Sequence, residues 1–365
     1  MALLLLYIFI GIIVTQVFYY LGIFTGFAFS KPSENNPKKI PVSVIVHAKN
    51  QAEEMKKLLP VLLNQNYHTF ELVLVNNAST DETLDVFKEF ASYVPYVRIV
   101  NVQNNEAFWG SKKYALTLGI KASSYEYLLF LDGKDHIDSP DWILQMSSHF
   151  TLNKTIVMGV SQYPKTKGFF NKFLRFDLAF SQLQSFAWSK LGQPFSTELP
   201  NLGYKKEVFY NVNGFIDHMN IANFTNELFL NQAATRKNTA ICEWNEVAVT
   251  LTAPKNFSSF SAIKKRQSKL LSTYAFSQQF KIRLFNCSLF AFYLMAILLL
   301  ILQTEWIITT ALIVFRFILA WAVTAKSLQK FRQRDVVWLF PILEPVQIFI
   351  QLNVFMSNLG SKSKL

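Results

Sequence analysis

The chain has 365 residues, 51% of them hydrophobic and only 16% charged, and its 36 Lys and Arg against 24 Asp and Glu leave a net charge of +12. That length allows one sizeable core plus further segments, and the balance is too oily for an ordinary soluble domain. A basic chain suits nucleic acid, an anionic membrane or phosphorylated substrates, but no RNP, zinc-finger or basic-zipper pattern is present, so nucleic acid is set aside and the apolar runs point to the membrane.

From Met1 to Ser30 there is no charged side chain, and Ala2 to Phe29 is almost wholly apolar. A secretory signal would open with a basic region and stop sooner at small residues. Residues 1–30 therefore read as a transmembrane anchor, long enough for a bilayer core of about 30 Å. Lys31, Lys38 and Lys39 follow and place its C-terminal end in the cytoplasm. The polar stretch SENNPKK is a linker.

After it, PVSVIVHAKN begins with a β-branched run that reads as a buried parallel strand. QAEEMKKLLPVLLNQ has helical spacing, FELVLVNNAS is a second strand ending in turn residues, and TDETLDVFKEFASYV is a helix capped by Thr80 or Asp81. VRIVNV, SKKYALTLGIKAS and YEYLLFLD continue as strand, helix and strand. This alternation predicts an α/β domain with a mostly parallel sheet, whose ligands sit beyond the C-terminal ends of the strands. HAKN, NNASTD and FLDGKDH all lie at those ends and should converge on one cleft. Asn76, Asn77 and Asp81 suit a base edge and ribose hydroxyls, although the same residue types shape turns without any ligand. There is no Walker A loop and no GxGxxG, so NTP hydrolysis and dinucleotide binding lack support.

The two cysteines, Cys242 and Cys287, build neither a disulfide framework nor a zinc site, which suits a reducing compartment. Leu284 to Thr304 is uncharged, and a short turn at Glu305 leads to a second apolar run, Ile307 to Ala325. Residues 284–325 thus form a transmembrane hairpin, and the basic loop 326–335 returns to the cytoplasm. Arg316, in the middle of the second span, requires a partner in the bundle, water or a lipid phosphate. Residues 336–365, interrupted by Pro341, Glu344 and Pro345, read as a broken span or an interfacial helix with its tail. The whole is a multi-pass protein of the cytoplasmic (inner) membrane, with the bilayer as a partner.

The order PVSVIVHAKNQ, FELVLVNNASTDET, NNEAFWGSKKYALTLGIKAS, YLLFLDGKDH and SPDWI resembles family 2 glycosyltransferases, especially membrane-anchored members. The likeness continues through PNLGYKKEVFYNVNGF, NFTNELFLNQAA and FSAIKKRQSKLLST. It implies a GT-A fold over residues 31–283, facing the cytoplasm. It implies transfer of a sugar, with inversion, from a nucleotide-sugar donor to an acceptor glycan or lipid. In such enzymes a DxD loop holds Mg²⁺ or Mn²⁺ on the diphosphate, because a cation stabilises the leaving group, and a later carboxylate takes the acceptor's proton. By the same resemblance the donor-binding positions are Ala48, Asn50, Asn76, Asn77, Asp81, Lys112, Lys113, Asp132 and Lys134.

The acidic motifs of that family are altered here. Counted back from Pro140-Asp141-Trp142, the DxD slots fall on Gly133, Lys134 and Asp135. Asp132 stands one residue early, and Asp135 is the surviving metal-ligand candidate. The acidic cluster expected at NFTNELF is Phe224, Thr225, Asn226 and Glu227, so an amide holds the slot of the base. Glu227 and Asp135 are then the catalytic candidates, although Glu227 also suits the first turn of any helix. Gln51 replaces the Glu that usually follows Asn50, ELPNLGY keeps Asn201, Leu202 and Tyr204 of a Gly-rich stretch, and a QxxRW-like motif becomes Arg266 to Leu270. Two readings remain. One is an active transferase with a weakened metal requirement, in which Lys134, Lys112 or Lys113 offsets the diphosphate charge. The other is an inactive relative that binds nucleotide or assembles with an active glycosyltransferase.

Overall fold

The computed structural model describes residues 2–31, 39–103, 112–195, 200–221, 224–243 and 247–360. The chain forms two compact units. One gathers Pro32–Pro164 and Pro194–Ala253, the other Met1–Lys31, Lys165–Gln193 and Pro254–Leu365.

The first unit is a GT-A-like α/β domain. Its strands are β1 (Val42–Ala48), β2 (Phe70–Asn77), β3 (Val97–Val102), β4 (Tyr127–Asp132), β5 (His136–Ile137), β6 (Ile156–Gly159), β7 (Ser161–Gln162), β8 (Leu202–Lys205), β9 (Thr239–Cys242) and β10 (Val249–Thr250). Seven of them form a sheet in the order β3-β2-β1-β4-β8-β6-β9, and β5-β10-β7 make a small second sheet. β3, β2, β1 and β4 run parallel, whereas β8 is antiparallel to β4 and β6. The β-branched run VSVIVHA is buried at every position, as a central strand covered on both faces must be. Helices Ala52–Leu63, Thr83–Tyr93 and Lys112–Ala122 make the crossovers. A Cβ on Gly119 would stand 2.7 Å from Val75 Cγ2 and 3.1 Å from Ile45 Cγ2, so the absence of a side chain there lets helix Lys112–Ala122 press close to the sheet.

In register, His47 lies beside Asp132 and Ala48 beside Asn76. HAKN, NNAST and FLDGKD therefore leave the sheet at one edge, as their positions in the sequence predict.

The second unit is helical. Among the described residues, four helices are long and apolar enough to cross a membrane: Leu3–Ala28, Phe276–Ile301, Trp306–Lys330 and Arg334–Val354. The first contains a π-helical stretch, Phe18–Phe24. Leu6, Phe9 and Ile13 pack on Phe292, Ala296 and Leu299. The turn before Trp306 uses left-handed backbone at Gln303 and Glu305.

The C-terminal stretch is helical from Phe340 to Gly360, with Pro345 inside it. Pro341 sits in the first turn, where a missing N–H costs no helical bond. Glu344 is fully buried and forms a two-point ion pair with Arg316, Nη1 to Oε2 at 2.6 Å and Nη2 to Oε1 at 3.0 Å. Tyr20 (3.1 Å) and Tyr293 (2.6 Å) donate to the same carboxylate, and Gln16 Oε1 accepts from Arg316 at 3.0 Å. The partner that Arg316 requires is thus the acid that interrupts the last apolar run. The tail after Gly360 lies outside the described residues.

Candidate active site

Two non-glycine residues at the strand ends adopt left-handed backbone, Asn50 after β1 (φ 54°) and Ala78 after β2 (φ 50°). Asn tolerates this conformation, whereas Ala is strained in it. The Asn50 N–H donates to Ser79 Oγ at 3.0 Å, and Asn50 Oδ1 accepts from the Thr80 N–H at 2.8 Å. Asp81 divides its carboxylate between the Ala52 N–H and the Thr83 N–H, each at 3.1 Å. The N-cap of helix Thr83–Tyr93 is Glu82, without a side-chain bond. Asp81, one residue earlier, thus ties that helix to the start of helix Ala52–Leu63.

Asn76 and Asn77 are buried. Asn76 donates to Asn101 Oδ1 at 2.7 Å and accepts from the Ser79 N–H at 3.3 Å. Asn77 Nδ2 lies 3.1 Å from His47 Nε2, while its Oδ1 has no partner among the described residues. Ala48 is buried in β1.

His47 is the centre of the cleft's electrostatics. Burial pushes its imidazole down to about 3, and the nearby Lys112, Lys134 and Lys49 add to the shift against the opposing pull of Asp132. The ring is therefore neutral at physiological pH. Nδ1 stands 3.9 Å from Asp132 Oδ2. Asp132 Oδ2 accepts from Lys112 Nζ at 2.7 Å. Burial opposes ionisation of Asp132, but Lys112 and Lys134 outweigh it and hold the carboxyl below the usual range. Burial likewise opposes the charge on Lys112, and Asp132, Glu227 and Asp135 outweigh it and raise its pKa. Lys113 is buried, pushed down to about 8 by burial against the pull of Glu227, and donates to the Ile221 carbonyl.

Asp135 is fully buried, its N–H bonded to the Asp132 carbonyl at 2.9 Å. Glu227 lies in the first turn of helix Asn226–Ala233. Lys134 is exposed, and its carbonyl accepts from Thr252 Oγ1 at 3.0 Å. The fold thus brings Asp132, Asp135, Glu227, Lys112 and Lys134 into one field, whereas Asn76 and Asp81 are occupied in shaping the loops.

Residues 43–225, half of the chain, match the sequence profile of Glycosyl transferase family 2. The chain belongs to that family. It is 30% identical over 115 residues to an uncharacterized glycosyltransferase of Haemophilus influenzae, covering 32% of this chain and 34% of that one. It is also 30% identical over 97 residues to the poly-beta-1,6-N-acetyl-D-glucosamine synthase of Staphylococcus epidermidis, covering 27% and 22%. These matches thus span about a third or less of the curated relatives' length. Among solved structures, a mannosyltransferase from Pyrobaculum calidifontis in complex with GDP-Man and Mn²⁺ superposes with a TM-score of 0.56 at 17% identity, covering 95% of this chain and 97% of that one. That likeness establishes the fold.

Within the family 2 frame, the loop FLDGKDH is built differently from a metal loop. Gly133 offers no ligand, Asp132 is bonded to an ammonium group, and Lys134 stands beside it. No cluster of three His, Cys, Asp or Glu side chains that would hold a metal ion forms among the described residues. This donor set does not fit a divalent cation, which favours converging oxygen ligands. Gly133 does not use left-handed backbone. Its constraint is space: a Cβ would stand 2.6 Å from Gln51 Oε1 and 3.0 Å from Met55 Cε. Gln51 fills the volume that a side chain at 133 would need.

Two family segments that lie far apart in sequence meet in the core. Trp142 Nε1 donates to Asn201 Oδ1 at 3.3 Å, and Asn201 Nδ2 donates to the Val160 and Val247 carbonyls at 2.9 and 2.7 Å. Tyr204 stacks on Phe130 with ring centroids 4.5 Å apart. Arg266 to Leu270 belong to helix Phe257–Leu271 of the helical unit. His47 and Lys49 are the residues that the motif comparison overlooks. The signal for both was their place at the C-terminal end of the most buried strand.

Proposed function

We propose that this family 2 protein is a membrane-bound transferase that moves a sugar, with inversion, from a nucleotide-diphosphate donor to an acceptor hydroxyl, with lysines in place of a metal. The observation that carries the proposal is Lys112 on Asp132 at 2.7 Å, beside His47 at the ends of β1 and β4, with the charges of Lys134 and Lys49 acting on the same ring. Such a field suits a diphosphate, and it stabilises the charge that gathers on the leaving group. The neutral His47 and its partner Asn77 keep hydrogen-bonding capacity beside the lysines without adding positive charge. A nucleotide-linked donor is supported by the Pyrobaculum relative in fold, whose complex holds GDP-Man.

Glu227, the remaining carboxylate of the NFTNELF segment and in the first turn of helix Asn226–Ala233, is the candidate base. Asp135 is the alternative. Base catalysis contributes typically 10²–10⁴-fold, so the amide at Asn226 lowers the ceiling of the reaction without abolishing transfer. The basic flanks of the apolar helices support a domain that faces the cytoplasm.

The test is release of free nucleotide from a panel of nucleotide sugars by the purified full chain, with and without Mn²⁺. Turnover independent of Mn²⁺, and reduced at least tenfold by Lys112→Met, is expected. Nucleotide binding without turnover for any donor would instead establish the inactive, assembly-partner reading, which the amide at Asn226 favours.

A further inference from the structure

The loop between the third and fourth apolar helices carries chemistry that the transferase reading does not use. Lys165, Arg332, Arg334 and Asp335 line an open cavity of about 650 Å³ within the helical unit. Lys165 Nζ donates to the Arg332 carbonyl at 3.0 Å and stands 3.9 Å from Asp335 Oδ1. Behind them Arg175, almost fully buried, donates to Gln333 Oε1 at 2.6 Å, to Asn171 Oδ1 at 3.0 Å and to both oxygens of Asp335. Arg332 holds a left-handed backbone (φ 51°), an uncommon state for arginine that the surrounding bonds maintain. Arg175 and Lys165 thus share one carboxylate, and Arg332 and Arg334 line the same cavity.

A loop that served only to orient the chain would need positive charge but no fixed shape. This one is pinned by a buried arginine and a buried glutamine. Its depth is also marked. It joins two helices that each have the length and hydropathy of a span, so it lies where the apolar layer ends. Trp338 is 76% exposed, and Trp321 packs edge-on against it while donating to the Val337 carbonyl at 2.9 Å. Tryptophan concentrates at headgroup level. Lys330, by contrast, is held by the Phe27 and Ser30 carbonyls.

We propose that Lys165, Arg332 and Arg334 form a cradle for the phosphate of an anionic bilayer lipid, seated at the headgroup boundary with its acyl chains along the apolar helices. Arginine binds phosphate through paired N–H groups, and basic pockets between membrane helices hold anionic headgroups. Asp335 keeps Arg175 in place and limits the net charge, so that one anion fits.

The proposal needs the membrane placement but no transferase activity, so its failure is separable from failure of the transferase reading. The test titrates the full chain in neutral detergent with fluorescent phosphatidylglycerol, fluorescent phosphatidylcholine and inorganic phosphate as competitor. Phosphatidylglycerol should bind at least tenfold more tightly than phosphatidylcholine. Arg332→Gln with Arg334→Gln should remove that preference, while Lys56→Gln with Lys88→Gln, an equal loss of exposed charge elsewhere, should keep it. Because the double loop variant can disturb insertion, Lys165→Gln, outside the loop, serves as second variant and should weaken phosphatidylglycerol about threefold with unchanged thermal unfolding. Equal binding of the two lipids by the wild type, an unaltered preference in both cradle variants, or the same loss in the Lys56/Lys88 control would overturn the proposal. Displacement of the labelled lipid by equimolar inorganic phosphate would overturn the lipid as the source of the anion.

Discussion

Two ion pairs sit at the hearts of the two units, and they are built for different ends. Arg316–Glu344 is completely buried, two-pointed, and joined by Gln16, Tyr20 and Tyr293. Phe292 presents its ring 4.6 Å from the guanidinium. Lys112–Asp132 is a single contact at 2.7 Å, with the lysine side chain 38% exposed. The first pair spends its hydrogen-bonding capacity inside the protein. The second keeps a partly exposed ammonium group, as the proposed diphosphate site requires.

The largest expected effect tests that contrast in the helical unit. Removing one member of a buried pair strands the other as an uncompensated charge, at a cost of about 3–5 kcal/mol. Arg316→Met or Glu344→Met should each lower stability by that amount in detergent unfolding, and the double change should cost less than either. Additive losses in the double-mutant cycle would mean that the two groups do not depend on one another. Lys112→Met, measured beside them, should cost less than either, because the lysine side chain is 38% exposed and Lys134 still faces the largely buried Asp132.

Acid should expose the cleft next. His47 has a folded value of about 3 against about 6.5 when unfolded, so the unfolded chain alone takes up its proton between those values. Stability is therefore unaffected above about pH 6.5 and falls on acidification by up to about 1.4 kcal/mol per pH unit. Asp132, held below its ordinary range, loses its contribution only below about pH 4. His149 and His218 are also lowered by burial and share the upper window. His47→Gln should make the decline between pH 6 and pH 4 shallower; an identical slope would remove His47 from the account.

Where sequence reading succeeded, periodicity and chain order were enough. VSVIVHA, FELVLVNN, VRIVNV and YLLFLD became four neighbouring parallel strands, and their trailing loops met at one edge. The local conflict at Phe340–Gly360 was harder. Two prolines and a glutamate broke the apolar pattern, and the partner that resolves Glu344 lies 28 residues away on another helix. Gln51 and Gly133 show the same limit in the cleft. In sequence the two stand far apart, yet the amide fills the space that a side chain at 133 would need. Side-chain volume across 82 positions is invisible to spacing.

That complementarity makes restoration of the metal loop a two-position problem. Gly133→Asp alone drives its Cβ into Gln51 Oε1 and should destabilise the domain by about 1–3 kcal/mol, the usual cost of overpacking. Gln51→Ala in the same chain should recover most of that loss, since Met55 Cε, the next neighbour, is the flexible end of its side chain. Thermal unfolding of the single and double variants measures it. Equal destabilisation of both would place the obstacle at Met55 Cε or Ala48 Cβ, which a Cβ at 133 would meet at 3.0 and 3.2 Å.

The smallest expected effect separates loop architecture from ligand contact. Asp81 accepts from the Ala52 and Thr83 N–H groups, so Asp81→Ala leaves two helix-start donors without their oxygen and should cost about 1 kcal/mol of stability, as other lost caps do. Asp81→Asn retains one acceptor oxygen but removes the charge, and should cost less than the alanine change. Nucleotide affinity then discriminates. If Asp81 serves only to hold the loop, affinity follows stability, and the asparagine variant binds nearly as the wild type does. If the carboxylate also meets a ribose hydroxyl, Asp81→Asn weakens nucleotide binding by about 1 kcal/mol or more while the fold is largely preserved. Calorimetry and thermal unfolding on the same samples decide between these outcomes, because only the second moves affinity without moving stability.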